Sequence, residues 1–402
     1  MTALYLYDDQ RARAFEPFAL SRPVAELRAG AELIRHRWEL ALGARAAGFV
    51  GAPHLAEFEE PGAPTMTTGQ IPAGAIIANA RCVPPLSGVP HDADVWTCAG
   101  RTAAVRLTSA VAIDALADGS ATLEPFAEAR EPVTIRGRWL EHVWDLVAQL
   151  PAQLAEDIAV LGPRLDPRRP ADAIVLGTHA VYVEDGALVE PQVCFDATAG
   201  PILVRQGAAV LAFTRLVGPC VVGSQSAVTS GRIAGCAIGE ACRVHGDVSH
   251  TIFIGHANKA HEGFVGHSVV GRWVNLGAGT TTSNLKNTYG AVEMWTPAGM
   301  EDTGLLNLGT MFGDHARTGI GLCLTTGTVI GAGANVYGGT MPSKIVAPFS
   351  WGEAPAYTLY RPEKFLEVAE RVMERRDVRL NDRGRRWLSA VHEARWRAEP
   401  PA

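Results

Sequence analysis

Apolar residues recur every six positions along much of this chain. Val204, Val210, Leu216, Val222 and Val228 form one run, and small residues stand four places after the first four of them, at Ala208, Thr214, Cys220 and Ser226. The spacing returns at Phe312, Thr318, Leu324, Ile330 and Val336, with Thr318 the one polar member. Its small partners are Ala316, Thr328, Ala334 and Thr340, with Leu322 the exception, and Gly313, Gly319 and Gly331 follow directly. Six residues make one short strand and one corner, so three hexapeptides close a triangular coil. One apolar side chain per hexapeptide points inward and stacks on the coil below, and each coil buries its apolar face only against its neighbours. A β-sandwich would need two separate runs to keep strict register by accident. The pattern predicts a left-handed parallel β-helix.

Between the runs, residues 229–311 keep the pattern imperfectly, at Ile238, Val244, Ile254, Val265, Val270 and Leu276. Irregular spacing predicts insertions at the corners, and loops leaving a rigid scaffold are natural sites of function. Before the repeats, strands are expected at Ala3 to Tyr7, Ile76 to Ala78 and Val95 to Cys98. A helix is expected over Ala31 to Leu42, with Leu33, Ile34, Trp38 and Leu42 on one face. Leu140 to Ala159 reads as a helical connector, ended by a breaker-rich stretch over residues 162–172. Alternating strand and helix signals favour an α/β domain over residues 1–165, with the β-helix over 166–351. A helical extension over 352–402 carries the stripe Phe365, Val368, Ala369 and Val372, expected to pack on the last coil or on another subunit.

The chain has 402 residues and a formal net charge of −6, which argues against nucleic acid as a partner. Seven cysteines, an odd number without a CxxC pair, argue against a disulfide framework or zinc site. The first fifteen residues meet charge early, unlike a signal peptide. No stretch approaches the roughly 18 apolar residues of a membrane span. A soluble, cytoplasmic protein is expected.

Histidines 245, 250, 256, 261 and 267 crowd the irregular segment. They read as solvated corner residues, as a metal cluster, or as the source of a catalytic base. Residues six apart lie on adjacent faces of such a helix, and stacking takes about eighteen, so 250, 256 and 261 would diverge unless an insertion reorients them. Asn284, after a Thr/Ser run, also reads as a turn residue, and Asn275 as a rung of an asparagine ladder.

The stretch Gly277-Ala278-Gly279-Thr280-Thr281-Thr282-Ser283-Asn284, preceded by Asn258-Lys259-Ala260-His261, resembles the acetyltransferase half of the bifunctional N-acetylglucosamine-1-phosphate uridyltransferase/glucosamine-1-phosphate acetyltransferases. Leu20-Ser21-Arg22-Pro23-Val24-Ala25-Glu26-Leu27-Arg28-Ala29-Gly30 and Trp144-Asp145-Leu146-Val147 resemble a divergent bacterial branch of that family. The likeness spans most of the chain, is strongest from about 205 to 345 and is weakest between 40 and 140. It implies a nucleotidyltransferase-like α/β domain before the β-helix, acetyl-CoA as co-substrate, and a homotrimer with acyl-CoA sites between subunits. UDP-N-acetylglucosamine synthesis is the implied pathway.

The resemblance also implies roles. His261 corresponds to the catalytic base; histidine suits deprotonation of an attacking amine near neutral pH. Phe264 stands where the family has a substrate-contacting tyrosine, and so lacks that hydroxyl. Asn275 and Asn284 match contacts to sugar and acyl-CoA. Ala278 and Gly279 offer backbone N–H groups to a thioester oxyanion, and Lys259 and Lys286 match contacts to acceptor phosphate or coenzyme A. In the first domain Arg22, Arg28 and Gly30 are candidates to cradle phosphate. Asn79, Arg81, Asp92 and Asp94 are candidate base, sugar or metal contacts, with plain surface charge the alternative for Asp92 and Asp94. Mg²⁺ would accompany nucleotidyl transfer. Against that, the first strand is followed by Asp8-Asp9-Gln10-Arg11-Ala12-Arg13 without a glycine pair, and no lysine precedes Lys259. Two further readings stay open: nucleotidyl transfer alone with the β-helix as a trimerisation scaffold, or sugar-nucleotide binding without turnover.

Overall fold

The computed structural model describes residues 2–127, 130–165 and 172–396. Its chain forms two compact units, Met1–Val143 with Val378–Ala394, and Trp144–Asp377 with Arg395–Ala402. The divisions fall at 143/144 and 377/378, whereas the pattern pointed to 165 and 351. Most of the breaker-rich stretch, residues 166–171, lies outside the described residues, as do residues 397–402 of the extension.

The first unit is built on a six-stranded sheet. Its strands are β1 (Leu4–Tyr7), β2 (Ala46–Val50), β3 (Ile76–Asn79), β4 (Val95–Cys98), β5 (Arg101–Arg106) and β6 (Val133–Thr134), in the order β6-β4-β5-β3-β1-β2. β1 runs parallel to both β2 and β3, while β5 is antiparallel to its neighbours β3 and β4. Leu4, Leu6, Ile76, Ile77 and Ala78 are all buried, as a central parallel strand covered on both faces requires.

Helix α1 (Ile34–Leu42) starts three residues later than the periodicity suggests. Glu32 and Leu33 instead pair with Ala29 and Arg28 in a tight hairpin. Gly30 turns it at φ +66°, a left-handed conformation that glycine adopts without steric cost. Gly43, at φ +59°, ends the helix by donating its N–H to the Glu39 carbonyl. The C-terminal helix α4 (Asp382–Ala394) belongs to this unit. Its Trp387 is buried, donates Nε1–H to the Ser21 carbonyl at 3.0 Å, and meets the Phe58 ring edge-on at 5.1 Å.

In the second unit, α2 (Leu150–Leu161) supplies the expected connector. The repeats then form a parallel β-helix whose longest face is a nine-stranded sheet. On that face successive pairings stack Val204, Val222, Ile238, Phe253, Val270, Phe312, Ile330 and Val346. All eight are fully buried in one continuous core. The two regular runs and the irregular segment therefore belong to a single β-helix. Phe253, not Ile254, is the inward member in the middle, because the coil between Ile238 and Phe253 is shortened to about 15 residues. The opposite irregularity follows Val270, whose partner Phe312 stands about 42 residues on. That coil carries an insertion with a bridge between Leu285 and Asn307 at its neck and a hairpin pairing Glu293–Thr296 with Gly299–Asp302. Cys220, Cys236 and Cys242 lie in the core as small apolar residues, and the seven cysteines are free thiols.

The corners explain the crowded histidines. His250, His256 and His267 have φ of +47°, +54° and +50°, a region that histidine enters more readily than most side chains. Corner side chains of neighbouring coils then meet: His250 stacks on His267 at 4.7 Å, and His256 packs at a tilt against Trp273 at 4.3 Å. Helix α3 (Pro362–Glu374) buries Phe365, Ala369 and Met373. Phe365 meets Phe349 edge-on at 4.9 Å and His315 at 5.6 Å, so the apolar stripe covers the end of the β-helix.

Candidate functional site

The acyl-transfer candidates lie on neighbouring coils of the β-helix. His261 is exposed at a corner next to the strand Asn258–Lys259. Its position is braced from below. The Lys259 ammonium, on a side chain only 2% exposed, donates to the carbonyl of His261 at 2.5 Å and to that of His245 at 2.9 Å. Burial pushes this ammonium down to about 8, against the opposing pull of Glu262 and Asp247. Beside it, His245 Nε2 and Glu262 Oε1 are 2.8 Å apart.

Strand Val265–Gly266 leads away from this corner. The Phe264 carbonyl accepts the Thr282 N–H at 2.8 Å, which brings the Thr281–Asn284 segment alongside. The Phe264 ring and the Asn284 carboxamide both close over Gly266. A Cβ there would lie 2.4 Å from Phe264 Cζ and 3.0 Å from Asn284 Nδ2. Asn284 Nδ2 donates to His267 Nδ1 at 2.7 Å, so the asparagine is more than a turn residue. Asn275 forms a ladder rung instead: its Oδ1 accepts from Asn258 Nδ2 at 2.8 Å, and its backbone bridges to Asn258 and Arg317.

The Gly279 N–H is already donated to the Glu262 carbonyl at 2.8 Å, and the Ala278 carbonyl accepts from Gly321. Of the two proposed oxyanion donors, Ala278 keeps an N–H without a backbone acceptor among the described residues. Lys286 lines a cavity of about 390 Å³ with Thr281, Ser283, Cys323, Thr325 and Met341. Lys344 stands near it, its ammonium held low by burial first and by the charge of Lys286 second.

The first unit has its own cavity, about 330 Å³, at the carboxyl ends of β1 and β3, where parallel α/β sheets commonly take ligands. Asn79 and Arg81 line it together with Asp9, Arg11, Arg101 and Trp139. Asp9 is the hub. It accepts from Arg81 Nη2 at 2.7 Å, Arg81 Nε at 2.8 Å and Asn79 Nδ2 at 2.8 Å. Burial alone would raise its pKa, but the hydrogen bonds and charge of Arg81 outweigh it and hold the carboxyl below its usual value. Arg81 Nη1 also reaches Glu141 at 3.2 Å, and Glu141 pairs with Arg101. The Arg101 guanidinium lies 4.0 Å over the Trp139 ring.

Arg22, Arg28 and Gly30 do not reach this cavity. Arg22 is wholly buried, with Nη2 3.2 Å from Glu60. Arg28 donates to the Ala31 carbonyl, and Gly30 turns the hairpin. Asp94 pairs with Arg106 at 3.0 Å on the surface, and Asp92 is exposed. The donor set does not fit a resident Mg²⁺. Asp9 is occupied by Arg81 and Asn79. Asp8 is buried, pushed up to about 7 by desolvation, and accepts the Val24 N–H. Among the described residues no cluster of three His, Cys, Asp or Glu could hold a metal ion.

Sequence reasoning missed Asp9, Arg101, Trp139, His245, Glu262 and His267 as neighbours of these candidates. The acidic pair Asp8-Asp9 at the end of the first strand was the available signal for Asp9. A recurrence of 17 residues between His250 and His267 was the signal for their stacking.

Residues 4–164 match a protein-family model described as sugar nucleotidyl transferase. Among curated proteins, a bifunctional sugar-1-phosphate nucleotidylyltransferase/acetyltransferase of Sulfurisphaera tokodaii is 32% identical over 100 residues, which is 25% of this chain and 25% of that protein. The match thus spans about a quarter of that relative's length. Among solved structures, an Arabidopsis UDP-N-acetylglucosamine acyltransferase is 11% identical, with a TM-score of 0.24, over 52% of this chain and 78% of that one. An N-acyltransferase from Bacillus cereus, solved with dTDP-4-amino-4,6-dideoxyglucose and coenzyme A, is 12% identical, with a TM-score of 0.21, over 51% and 92%. The β-helix itself rests on the chain's own strand pairing. The family resemblance drawn from the motifs is borne out.

Proposed function

We propose that this chain is a two-domain transferase of the sugar nucleotidyltransferase/acetyltransferase kind. Its β-helix moves an acetyl group from acetyl-CoA to the amine of an amino sugar phosphate, with glucosamine-1-phosphate the first candidate. Its first domain works on the sugar phosphate and a nucleoside triphosphate, giving a UDP-sugar. The observation that carries the reading is the convergence of Phe264 and Asn284 over Gly266, with His267 bonded to Asn284, one short strand from His261 and beside the cavity that Lys286 lines.

The amine nitrogen attacks the thioester carbonyl carbon. The N–C bond forms, the C–S bond breaks, and the coenzyme leaves as its thiolate. His261 takes the proton from the nitrogen and returns it to the sulfur. Positioned general-base catalysis contributes typically 10²–10⁴-fold, so His261→Ala should lower the rate of thiol release by about that factor, and an unchanged rate sinks the assignment. Purified protein with acetyl-CoA and a panel of amino sugar phosphates tests the reading as a whole: no thiol release with any of them overturns it.

A second reading, sugar-nucleotide binding without nucleotidyl transfer in the first domain, is favoured by one observation. The cavity's Arg81 and Arg101 are engaged by Asp9 and Glu141. Pyrophosphate release from UTP and a sugar phosphate excludes it; saturable binding of a UDP-sugar without turnover supports it.

A further inference from the structure

We propose that His267 is a substrate-touching residue of the acyl-transfer site, presenting a neutral Nε2–H to an oxygen of the bound substrate. The inference rests on the acyl-transfer reading above and deepens it. A carboxamide NH₂ can only donate, so the 2.7 Å contact from Asn284 Nδ2 makes His267 Nδ1 the acceptor. In a neutral imidazole the proton then sits on Nε2. That edge has no hydrogen-bond partner among the described residues, on a half-buried ring.

The ring is held by both its backbone and its face. Its backbone sits in the left-handed corner, and its face lies 4.7 Å from His250 with only 10° between the planes. Burial, and secondarily the neighbouring ring, push its pKa down to about 4. His250 is held low by burial first and by Arg232 second. The donor is therefore neutral, oriented and rigid, which is what a preorganised contact needs. Its partner Asn284 closes over the neighbouring Gly266 together with the Phe264 ring, and both are matched by resemblance to substrate and acyl-CoA contacts. A corner residue with only a packing role would need neither the paired Nδ1 nor this company.

The chemistry recognised is an oxygen acceptor. It can come from the acceptor sugar phosphate or from an amide carbonyl of the pantetheine arm, and steady-state kinetics separates the two. With acetyl-CoA and glucosamine-1-phosphate, His267→Ala should raise KM for one substrate about tenfold, the size of one neutral hydrogen bond. A raised KM for glucosamine-1-phosphate identifies the sugar phosphate; a raised KM for acetyl-CoA identifies the pantetheine. His267→Gln, which carries an N–H near the same place, should restore that KM to within about threefold.

Nitrogen-15 NMR of histidine-labelled protein gives a readout independent of turnover. The His267 ring should be the Nε2–H tautomer and stay neutral at pH 6, and Asn284→Asp should switch it to Nδ1–H. An Nδ1–H tautomer in the wild type, or unchanged KM values in a turning-over His267→Ala protein, overturns the donor role alone. Absence of thiol release by the wild type overturns the acyl-transfer reading, and the donor role with it.

Discussion

The two units build their interiors on different plans. The β-helix has one apolar column per face, broken only locally by groups such as Lys259, which follows Val210, Val228 and Val244 in register and meets two carbonyls. The first unit buries its polar groups one by one, each with its own partner: Arg22 with Glu60, Arg35 with Glu26, and the Asp8 carboxyl against the Val24 N–H. A repeat lets each coil reuse the solution of the coil before it. A sheet closed by irregular turns has no such template, and its buried polar groups must each find a partner. The difference teaches where stability and chemistry can be separated. In the β-helix a coil can lose its regularity at one corner, as it does after Val270, while the column runs on beneath it.

That contrast can be broken by substitution. Trp387→Ala removes the aromatic that α4 inserts against Phe58 in the first unit. It should cost about 3–5 kcal/mol, and hydrogen exchange should report it as lost protection in residues 2–143. Phe253→Ala opens the column in the second unit at a similar or slightly smaller cost, about 3–4 kcal/mol, with the loss confined to the coils around 238–270. Loss of protection spread evenly over both units in either variant would break the division.

Asp8 sharpens the comparison through pH. Its folded pKa, about 7, lies above the ordinary 3.8. The folded state therefore holds the extra proton between these values. The stabilisation is complete below pH 3.8 and is lost as pH rises towards 7, at no more than about 1.4 kcal/mol per pH unit. Asp8→Asn should flatten that decline in urea midpoints measured from pH 4 to 8. The smallest effect is expected at the β-helix surface. Arg232 and Asp247, 3.8 Å apart and both half-exposed or more, form a pair worth less than about 0.5 kcal/mol, so Asp247→Ala should leave the unfolding midpoint nearly unchanged.

By itself the sequence determined the β-helix, its two regular runs and the presence of an interrupted coil between them. Each hexapeptide repeats the same local demand, so Val204 to Val228 could be read inward without knowing anything distant. It also held the motif residues around His261. Only the tertiary structure decided what those residues touch. Lys259 turned inward to two carbonyls, Asn275 became a rung between Asn258 and Arg317, and His267, one of five crowded histidines in the sequence, became the partner of Asn284. Coils of 15 and 17 residues, rather than a uniform 18, set which corners meet, and that count depends on how each turn closes in three dimensions. The same holds for the first unit, where Trp387 meets Phe58 across more than three hundred residues of chain. Contacts of that kind follow from the burial of distant apolar surface, which leaves no periodic trace in the chain.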